Sequence, residues 1–508
     1  MILDRVEHHA RERPDQRAVV EVAADGRTRE LTWRQLAGEV ARLAALLASY
    51  DVAPGEPVAF QLPNRLEFVT IALATLRIGA VCEPLMPIFR EHELQFMLRE
   101  SGARVLFVPD RFRGHDYAAM ARALKEPLHA LEHVITTAGL HEHVRTCTSH
   151  PQHSPGPKDI AQLLFTSGST GEPKGVLHRH AVLDDAARAH ICHFGLGEDD
   201  VIYVPSPLAH QTGFLYGMWI AIELGVPQVI QEVWDAHAGL EAMRRFGVTF
   251  VQAATPFLTD LTQLVQDGAE APPTLRTFVA TGAAIPRELA RSAREALRAE
   301  VGGAWGTTES CLGTAFSPGD PPEQAWKTDG HALDGVVLRV VDDHGAQLPA
   351  RTEGNFEVKT EWLFEGYLNR PELTAEALTA DGFYRTGDLA RLDADGCMRI
   401  TGRVKDVINR GGEKVPVAEI EELLYAHPAV REIAIVAMPD ERLGERACAF
   451  VVGEPGVAGL DLEEVRRHLD SRRVTKTYWP ERVELIDALP KTPSGKIRKH
   501  VLRELIAA

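Results

Sequence analysis

Residues 163–175 read Leu-Leu-Phe-Thr-Ser-Gly-Ser-Thr-Gly-Glu-Pro-Lys-Gly, an apolar run that ends in a loop of Gly, Ser and Thr. Such a loop exposes backbone N–H groups without bulky side chains around them, and it adds hydroxyl groups and one ammonium group. A polyphosphate binds to groups of this kind. The string does not match the Walker A pattern, because no Gly-Lys-Ser/Thr follows the second glycine at the required spacing. Its composition alone also fits a flexible surface loop, so the prediction of a phosphate site depends on the order of the residues.

Length and charge limit the class of protein around this loop. The chain has 508 residues, which by length alone is enough for about three domains. Lys and Arg number 55 against 72 Asp and Glu, so the formal net charge is −17. An acidic chain is a poor candidate for non-specific nucleic-acid binding. An anionic ligand therefore needs local positive groups in a defined site.

The cellular location is predicted from cysteines and apolar runs. The six cysteines are far apart and form no C-x-x-C pair, which argues for a reducing compartment and against a structural zinc site. The N-terminus carries no signal-peptide pattern. The apolar stretches near 68–83 and 214–230 are interrupted by Arg77 and Glu223, short of the roughly 18 apolar residues that a spanning helix needs. We expect a cytoplasmic protein without a membrane anchor.

Alternating strand and helix patterns predict an α/β fold. Thr32 and Gln35 form a capping-box pattern before a helix that ends near residue 49. Short apolar runs at 58–62 and 277–280 have the character of buried strands, and residues 286–300 have that of a helix. Strands that alternate with helices of this length favour parallel sheets.

The pattern changes after residue 333. Short β-like runs at 336–341 and 355–359 alternate with turn signals, which predicts a small β-rich subdomain. A tail of about 100 residues follows, with strand and helix patterns of its own, enough for a small α+β domain. We expect a large N-terminal domain (1–403) of several subdomains and a small mobile C-terminal domain (404–508).

Seven further short strings stand in a fixed order along the chain. They are Leu208-Ala-His-Gln-Thr-Gly213, Thr281-Gly-Ala-Ala284, Trp305-Gly-Thr-Thr-Glu309, Tyr384-Arg-Thr-Gly-Asp-Leu389, Gly402-Arg-Val-Lys-Asp406, Gly411-Gly-Glu-Lys414 and Pro493-Ser-Gly-Lys-Ile497. Each string alone is unremarkable and would fit a turn. Together with the loop at 166–175, they resemble the signatures of the adenylate-forming superfamily, which contains acyl-CoA synthetases, adenylation domains of peptide synthetases and luciferases.

This resemblance implies an ATP site. It assigns nucleotide binding to Thr166, Ser167, Gly168, Ser169, Thr170, Gly171, Lys174, Gly282, Ala283, Ala284, Trp305, Gly306, Thr307, Asp388 and Arg403. Small residues at 281–284 leave room for a flat adenine ring. Asp388 would accept hydrogen bonds from both ribose hydroxyls, because an ionised carboxylate has about four lone-pair sites. Arg403 would reach the ribose or the phosphate.

The resemblance also assigns the catalytic groups and Mg²⁺. Thr308 would contact phosphate, and Glu309 would hold Mg²⁺ together with substrate phosphates, since this hard cation prefers oxygen ligands. Lys496 would be the catalytic lysine of adenylation, whose ammonium neutralises negative charge that develops at the α-phosphoryl group. Lys491 and its basic neighbours are read as solvated side chains unless they meet CoA phosphates.

Domain rotation is a further implication of the resemblance. Lys405 occupies the position of the hinge residue. After rotation, Gly411, Gly412 and Glu413 would lie beside the pantetheine arm of CoA, the second substrate. The resemblance thus predicts that an acyl-adenylate forms first and that a CoA thioester forms second in the same site.

The acid substrate is only outlined by the sequence. His210 would lie near the substrate carboxylate or the thiol tunnel, but a core histidine fits this position equally well. The other candidate pocket residues are Phe214, Thr255, Phe257, Ala283, Trp305 and Thr307. Their mixture of aromatic and small groups suggests a medium-sized, cyclic or aromatic acid.

Other functions remain open at this point. The acceptor could be an amine, a carrier-protein thiol on a separate chain, or the enzyme could activate an unusual oxyanion such as nitrite. A non-catalytic nucleotide-binding relative and a structural α/β protein are the remaining alternatives, and both require the ordered strings to be without catalytic meaning. The sequence leaves open whether the chain forms a homodimer.

Overall fold

Two large sheets form the framework of the chain in the computed structural model, which describes residues 1–140, 155–166, 173–282, 285–410, 413–456, 460–492 and 497–507. In this part of the chain the first sheet contains, from edge to edge, β17 (His331–Ala332), β16 (Cys311–Ala315), β15 (Glu300–Thr307), β14 (Thr277–Thr281), β13 (Phe250–Ala254), β11 (Ile202–Val204), β12 (Gln228–Gln231), β1 (Arg17–Val22) and β2 (Thr28–Thr32). Six adjacent strands, β15, β14, β13, β11, β12 and β1, are mutually parallel, as predicted. Antiparallel pairing extends the sheet by β16 and β17 at one edge and by β2 at the other.

The second sheet carries the glycine-rich string. Its described strands are, in order, β20 (Gly366–Tyr367), β10 (Lys174–Arg179), β9 (Ile160–Thr166), β4 (Val81–Pro84), β3 (Pro57–Phe60), β5 (Val105–Val108) and β8 (His133–Thr136). Strands β9 and β10 are antiparallel, with Thr166 paired to Lys174, so the intervening residues connect a hairpin. A separate short hairpin joins β6 (Arg111–Phe112) and β7 (His115–Asp116).

Helices cover these sheets. Those of the larger domain are α1 (Ile2–Glu12), α2 (Trp33–Ser49), α3 (Leu66–Arg77), α4 (Glu91–Ser101), α5 (Tyr117–Leu124), α6 (His180–Phe194), α7 (211–224), α8 (Ala236–Phe246), α9 (Thr255–Gln266), α10 (Arg287–Leu297), α11 (Pro322–Lys327) and α12 (Pro371–Ala377). Helix α2 begins with the predicted reciprocal cap, in which Thr32 and Gln35 each accept a hydrogen bond from the other's backbone N–H. Its apolar face is buried, which confirms the helical pattern.

The helix predicted over 286–300 is shorter in the structure. It ends at Leu297, because Arg298 adopts a left-handed backbone conformation (φ 54°) that terminates the helix. Strand β15 already begins at Glu300. The chain therefore reaches the sheet three residues after the helix ends and brings Trp305 and Glu309 to the end of a central strand.

Helix α7 contains one feature that the apolar pattern did not reveal. Residues Phe214–Trp219 form a π-helical turn, and all six are buried. Gly217 lies against strand β11, where an added Cβ would come within 2.7 Å of the methyl groups of Val204. Wide turns of this kind are frequent at functional sites.

The predicted small β subdomain and C-terminal domain are present. The subdomain is a sheet of β18 (Val337–Val341), β19 (Gly354–Lys359), β21 (Tyr384–Leu392) and β22 (Met398–Arg403). The C-terminal domain has strands β23 (Ile408–Arg410), β24 (Glu413–Val415), β25 (Val430–Asp440), β26 (Gly444–Gly453) and β27 (Arg482–Leu485), with helices α13 (Val417–Tyr425), α14 (Leu462–Ser471) and α15 (Lys499–Ala507). It packs around an apolar core of its own, which includes Ile408, Ile420 and Val465. Short 3₁₀ turns occur at Val404–Asp406 and Lys476–Tyr478.

No helix in the described ranges combines the length and the apolar character that a membrane crossing requires.

Candidate active site

The carboxyl ends of parallel strands bring several predicted residues to one edge of the first sheet. His210 follows β11, Thr255 follows β13, Gly282 follows β14, and Thr308 and Glu309 follow β15. In open α/β sheets, ligands bind at this edge. A small cavity there is lined by Ser206, Pro207, His210, Thr212, Ala254, Thr281 and Gly282.

Gly282 has a conformation that suits its place in this cavity. Its φ is +87°, a region that is strained for any residue with a side chain. His210 caps the first turn of α7, because its Nδ1 accepts the backbone N–H of Thr212 at 3.2 Å. Because Nδ1 accepts this hydrogen bond, the ring carries its proton on Nε2.

The turn after β15 holds the predicted magnesium ligand. The hydroxyl of Tyr367 donates a hydrogen bond to Glu309 Oε1 at 2.8 Å, and the backbone N–H of Phe364 donates to Glu309 O at 2.7 Å. Burial and the neighbouring Glu309 carboxylate raise the pKa of Tyr367, so this phenol remains a donor at neutral pH. One carboxylate oxygen is thus anchored by a tyrosine that the sequence analysis did not identify.

The same tyrosine connects Glu309 to the end of the glycine-rich string. The ammonium of Lys174 lies 4.7 Å from the centroid of the Tyr367 ring, which is a cation–π contact. Strand β20 pairs with β10, and the N–H of Leu368 donates to Gly175 O at 2.7 Å. The described ends of the 166–175 segment therefore lie beside Glu309.

Hydrogen bonds hold both threonines at the end of β15. Thr308 is bonded to a histidine of β10, and Thr307 is bonded within its own turn. His178 Nε2 lies 2.7 Å from Thr308 O, and burial lowers the pKa of His178 to about 4. A neutral ring next to a carbonyl must carry its proton on Nε2, so His178 donates. Thr307 Oγ1 accepts the N–H of Ser310 at 3.1 Å. Gly306 is required here, because a Cβ at this position would lie 2.3 Å from Cys311 O.

Asp388, the residue predicted to bind the ribose, is buried between an indole donor and a guanidinium. The indole Nε1 of Trp305 donates to Asp388 Oδ2 at 2.9 Å, and Arg403 Nε lies 3.0 Å from Asp388 Oδ1. Asp388 and Arg403 are directly opposite each other on β21 and β22. The backbone N–H of Asp388 also donates to Thr386 Oγ1 at 3.0 Å. Three of the predicted residues thus form one cluster with a carboxylate at its centre.

The remaining acid-pocket candidates occupy different surroundings. Phe214 is fully buried against Phe68 and Trp219, and Phe257 packs on Trp234 with ring centroids 4.8 Å apart. The described residues that line the small cavity include neither phenylalanine. The Thr255 hydroxyl is buried without a hydrogen-bond partner among the described residues.

Ten predicted residues lie outside the part of the chain that the structure describes: Ser167, Gly168, Ser169, Thr170, Gly171, Ala283, Ala284, Gly411, Gly412 and Lys496. Glu413 is exposed and pairs with Arg410 across the β23–β24 hairpin. Lys405 lies in the 3₁₀ turn that follows β22. The sequence context suggested that Lys491 is a solvated side chain. In the structure its ammonium instead forms an ion pair with Glu432 at 2.5 Å.

A divalent cation fits the donors at Glu309. In the described residues, no group of three or more His, Cys, Asp or Glu side chains is arranged to hold a metal. Glu309 nevertheless keeps its second carboxylate oxygen outside the bond from Tyr367. Mg²⁺ commonly binds one or two carboxylates and completes its shell with water and substrate phosphates. The donor set therefore suits a metal that arrives with a nucleotide.

Comparisons with known proteins identify the family of the chain. The AMP-binding enzyme family matches residues 6–368, and the AMP-binding enzyme C-terminal domain matches residues 419–496. A medium-chain fatty-acid–CoA ligase of Escherichia coli (strain K12) is 35% identical over 99% of this chain and 90% of its own length. A salicyl-AMP ligase / salicyl-S-ArCP synthetase of Mycobacterium tuberculosis (strain ATCC 25618 / H37Rv) is 34% identical over 98% of this chain and 89% of its own.

A solved structure extends the similarity to the whole fold. The amide bond synthetase McbA of Marinactinospora thermotolerans superposes with a TM-score of 0.86 at 28% identity, over 99% of both chains. The sequence matches and the fold similarity both extend over nearly the whole chain. The chain belongs to the AMP-binding enzyme family and is an adenylate-forming enzyme.

Proposed function

We propose that this protein is an AMP-forming acid–thiol ligase, which activates a carboxylic acid with ATP and transfers the acyl group to CoA. The observation that carries the proposal is the arrangement of Asp388, Glu309 and Lys174. Asp388, a buried carboxylate suited to a vicinal diol, is bonded to Trp305 near the carboxyl end of β15. Glu309 directly follows this strand and is bonded to Tyr367, whose ring contacts Lys174. These are the groups that ribose, Mg²⁺ and a triphosphate need.

In the first half-reaction, a carboxylate oxygen of the acid attacks the α-phosphorus of ATP, and pyrophosphate leaves. The loop at 166–175 binds the β- and γ-phosphates, and Lys496 and Thr308 stabilise the charge of the transition state. Positioning and charge stabilisation supply most of the rate in phosphoryl and nucleotidyl transfer. Mg²⁺, held by Glu309, would supply charge neutralisation on the phosphates. The product is an acyl-adenylate, which has a far better leaving group than hydroxide.

In the second half-reaction, the C-terminal domain rotates about Lys405. Lys496 then leaves the cleft, and the loop at 411–414 takes its place beside the pantetheine arm. The CoA thiolate attacks the acyl carbon and AMP leaves. One cleft carries out two reactions because one of its walls is exchanged. The domain boundary at 403/404 and the hinge are parts of this proposal.

The acceptor is the least constrained part of the proposal. Among the relatives, the name of the Escherichia coli protein specifies CoA, that of the Mycobacterium protein specifies ArCP, and the Marinactinospora protein is an amide bond synthetase. CoA is favoured because the Escherichia coli relative has the higher identity over the longer share of this chain. An adenylate-forming enzyme with an amine, a carrier-protein thiol or an unusual oxyanion such as nitrite is the alternative.

A pyrophosphate-release assay tests the function. The purified protein is incubated with ATP, Mg²⁺ and a panel of acids, with and without CoA, and thioester is measured in parallel. The panel contains hexanoate, octanoate, cyclohexanecarboxylate, benzoate, salicylate and nitrite. Pyrophosphate with at least one carboxylic acid, together with its thioester, is the expected result. Pyrophosphate without thioester would contradict the CoA step, and tight ATP binding without pyrophosphate would contradict the enzyme activity.

A further inference from the structure

We propose that Trp305 is a positioning residue for Asp388: its indole N–H fixes the carboxylate so that one lone pair on each oxygen stays available to the two ribose hydroxyls. This inference rests on the proposed function, because it concerns the same nucleotide. It gives the indole a role that is separate from any contact of its ring with the adenine.

The contacts at Asp388 carry the argument. Trp305 Nε1 donates a hydrogen bond to Oδ2 at 2.9 Å, and the Arg403 guanidinium forms an ion pair with Oδ1 at 3.0 Å. Each oxygen of a carboxylate has two in-plane lone pairs, so the group accepts about four hydrogen bonds. The indole occupies one acceptor site on Oδ2, and the ion pair lies at Oδ1, so each oxygen keeps an acceptor site. That pattern matches two neighbouring hydroxyls, as in the 2′,3′-diol of a ribose.

The indole is held more firmly than the guanidinium. Trp305 is 8% exposed, and its ring meets that of Phe356 edge-to-face, with centroids 4.7 Å apart. On another side the ring lies directly on the backbone of Gly313, where an added Cβ would be only 2.7 Å from the ring. The indole therefore has little room to change its rotamer.

Arg403 is in a different position. Its side chain is 52% exposed, and it is the last residue of β22 before the 3₁₀ turn that contains Lys405. Rotation of the C-terminal domain about this turn would displace the Arg403 guanidinium from Asp388. Trp305, on a strand with neighbours on both sides, keeps its bond to Asp388. The carboxylate thus keeps one fixed orientation through both half-reactions.

Phenylalanine at position 305 separates the two roles of the side chain. It keeps an aromatic ring and loses the N–H donor, so the Asp388 carboxylate can rotate and a ribose hydroxyl loses its prepared acceptor. A site built to hydrogen-bond a hydroxyl discriminates strongly against an analogue that lacks it. We expect Trp305→Phe to lower kcat/KM for ATP about tenfold, the effect of one hydrogen bond to a charged group. The preference for ATP over 2′-deoxy-ATP should fall by about tenfold, on the same scale.

The experiment is ATP–pyrophosphate exchange with an accepted acid, using ATP and 2′-deoxy-ATP as alternative nucleotides. The matched control is Trp362→Phe, which removes another buried indole whose Nε1 donates to Leu312 O at 3.4 Å. This control should keep the wild-type ratio between the two nucleotides. An unchanged ratio in Trp305→Phe, or an equal fall in Trp362→Phe, would overturn the proposal.

A double-mutant cycle guards against a general loss of structure. In an Asp388→Ala background, Trp305→Phe should have almost no further effect on the nucleotide ratio, because the carboxylate through which it acts is gone. An undiminished effect in that background would overturn the positioning role. Absence of exchange in the wild-type protein with every acid would instead refute the proposed function, so the two failures are distinguishable.

Discussion

The contacts that fix the candidate site within the larger domain differ in kind from the contact between the two domains. In the larger domain, Asp388 is 4% exposed and accepts a hydrogen bond from a buried indole, and Glu309 accepts one from a buried tyrosine. One contact between the C-terminal domain and the larger domain is made by Glu422, which pairs with Arg287 at 2.7 Å and with Arg399 at 3.0 Å. Arg287 is 50% exposed, whereas Arg399 is 20% exposed.

This difference has an energetic consequence. Exposed ion pairs contribute about 0–1 kcal/mol each, whereas a buried hydrogen bond to a charged group is worth about 1.5–3 kcal/mol. A cleft between the domains, lined in part by Arg287, Arg399 and Glu422, also separates their surfaces. We therefore propose that the larger domain carries the nucleotide site and that the smaller domain, whose contact at Glu422 includes an exposed pair with Arg287, is the part that moves. Four predictions test this contrast.

The largest effect is expected at the lysine that the mobile side would bring to the nucleotide. Lys496→Ala should lower the rate of adenylate formation by about 10²–10³, the scale of losing one transition-state charge partner. Thioester formation from supplied acyl-adenylate should remain close to wild type. Pyrophosphate exchange and a thioester assay measure the two steps, with Lys491→Ala as a control that removes a nearby ammonium. Equal loss of both steps would contradict the division of labour.

Restricting the hinge should give the reverse pattern. Lys405→Pro fixes φ near −65° and removes a backbone N–H at the proposed pivot. We expect a fall of about tenfold or more in thioester formation, since domain closure gates the second step. Pyrophosphate exchange should be largely retained. Stopped-flow measurement of both half-reactions checks this, and normal overall turnover would remove Lys405 from the hinge.

The prepared side of the cleft can be tested at its tyrosine. Tyr367→Phe removes the O–H that donates to Glu309 but keeps the ring beneath Lys174. Adenylation should fall about 10- to 100-fold, with a higher Mg²⁺ requirement, because a hydrogen bond to a charged group is lost. Exchange rates over a Mg²⁺ titration measure this. Tyr203→Phe, which removes a hydroxyl bonded to Gln231 elsewhere in the larger domain, is the control and should leave the Mg²⁺ dependence unchanged.

The smallest effect is expected at the contact between the domains. Glu422→Gln removes the charge that pairs with Arg287 and Arg399. The ratio of thioester to adenylate rates should change by no more than about fivefold, the equivalent of roughly 1 kcal/mol. Glu419→Gln, which removes a carboxylate from the same cleft, serves as the control. A change of more than a hundredfold would show that this contact is strong and would break the contrast.

Local patterns predicted many elements because local rules govern them. The cap at Thr32 and the buried face of helix α2 follow from side-chain spacing alone. The end of helix α10 did not, since the left-handed conformation of Arg298 has no signal in the apolar pattern. The π-helical turn at Phe214–Trp219 also escaped, because one additional residue per turn leaves a fully buried apolar run unchanged.

The site residues follow the same rule: those in short local strings were predicted, and those defined by distant contacts were not. Glu309 and Asp388 were predicted because each belongs to a short string whose order is recognisable. Tyr367 was missed, because it is separated from Glu309 by 58 positions and belongs to none of those strings. The donor role of Trp305 was missed for a similar reason: its acceptor is 83 positions away.

The sequence by itself determined the family, the α/β class with a smaller C-terminal domain, and the residue types that a nucleotide site needs, since these depend on composition, periodicity and the order of short strings. Only the tertiary structure decided which donors hold Asp388 and Glu309. Hydrogen bonds between distant strands depend on sheet order and register, and those are set by packing across the whole domain rather than by any local stretch.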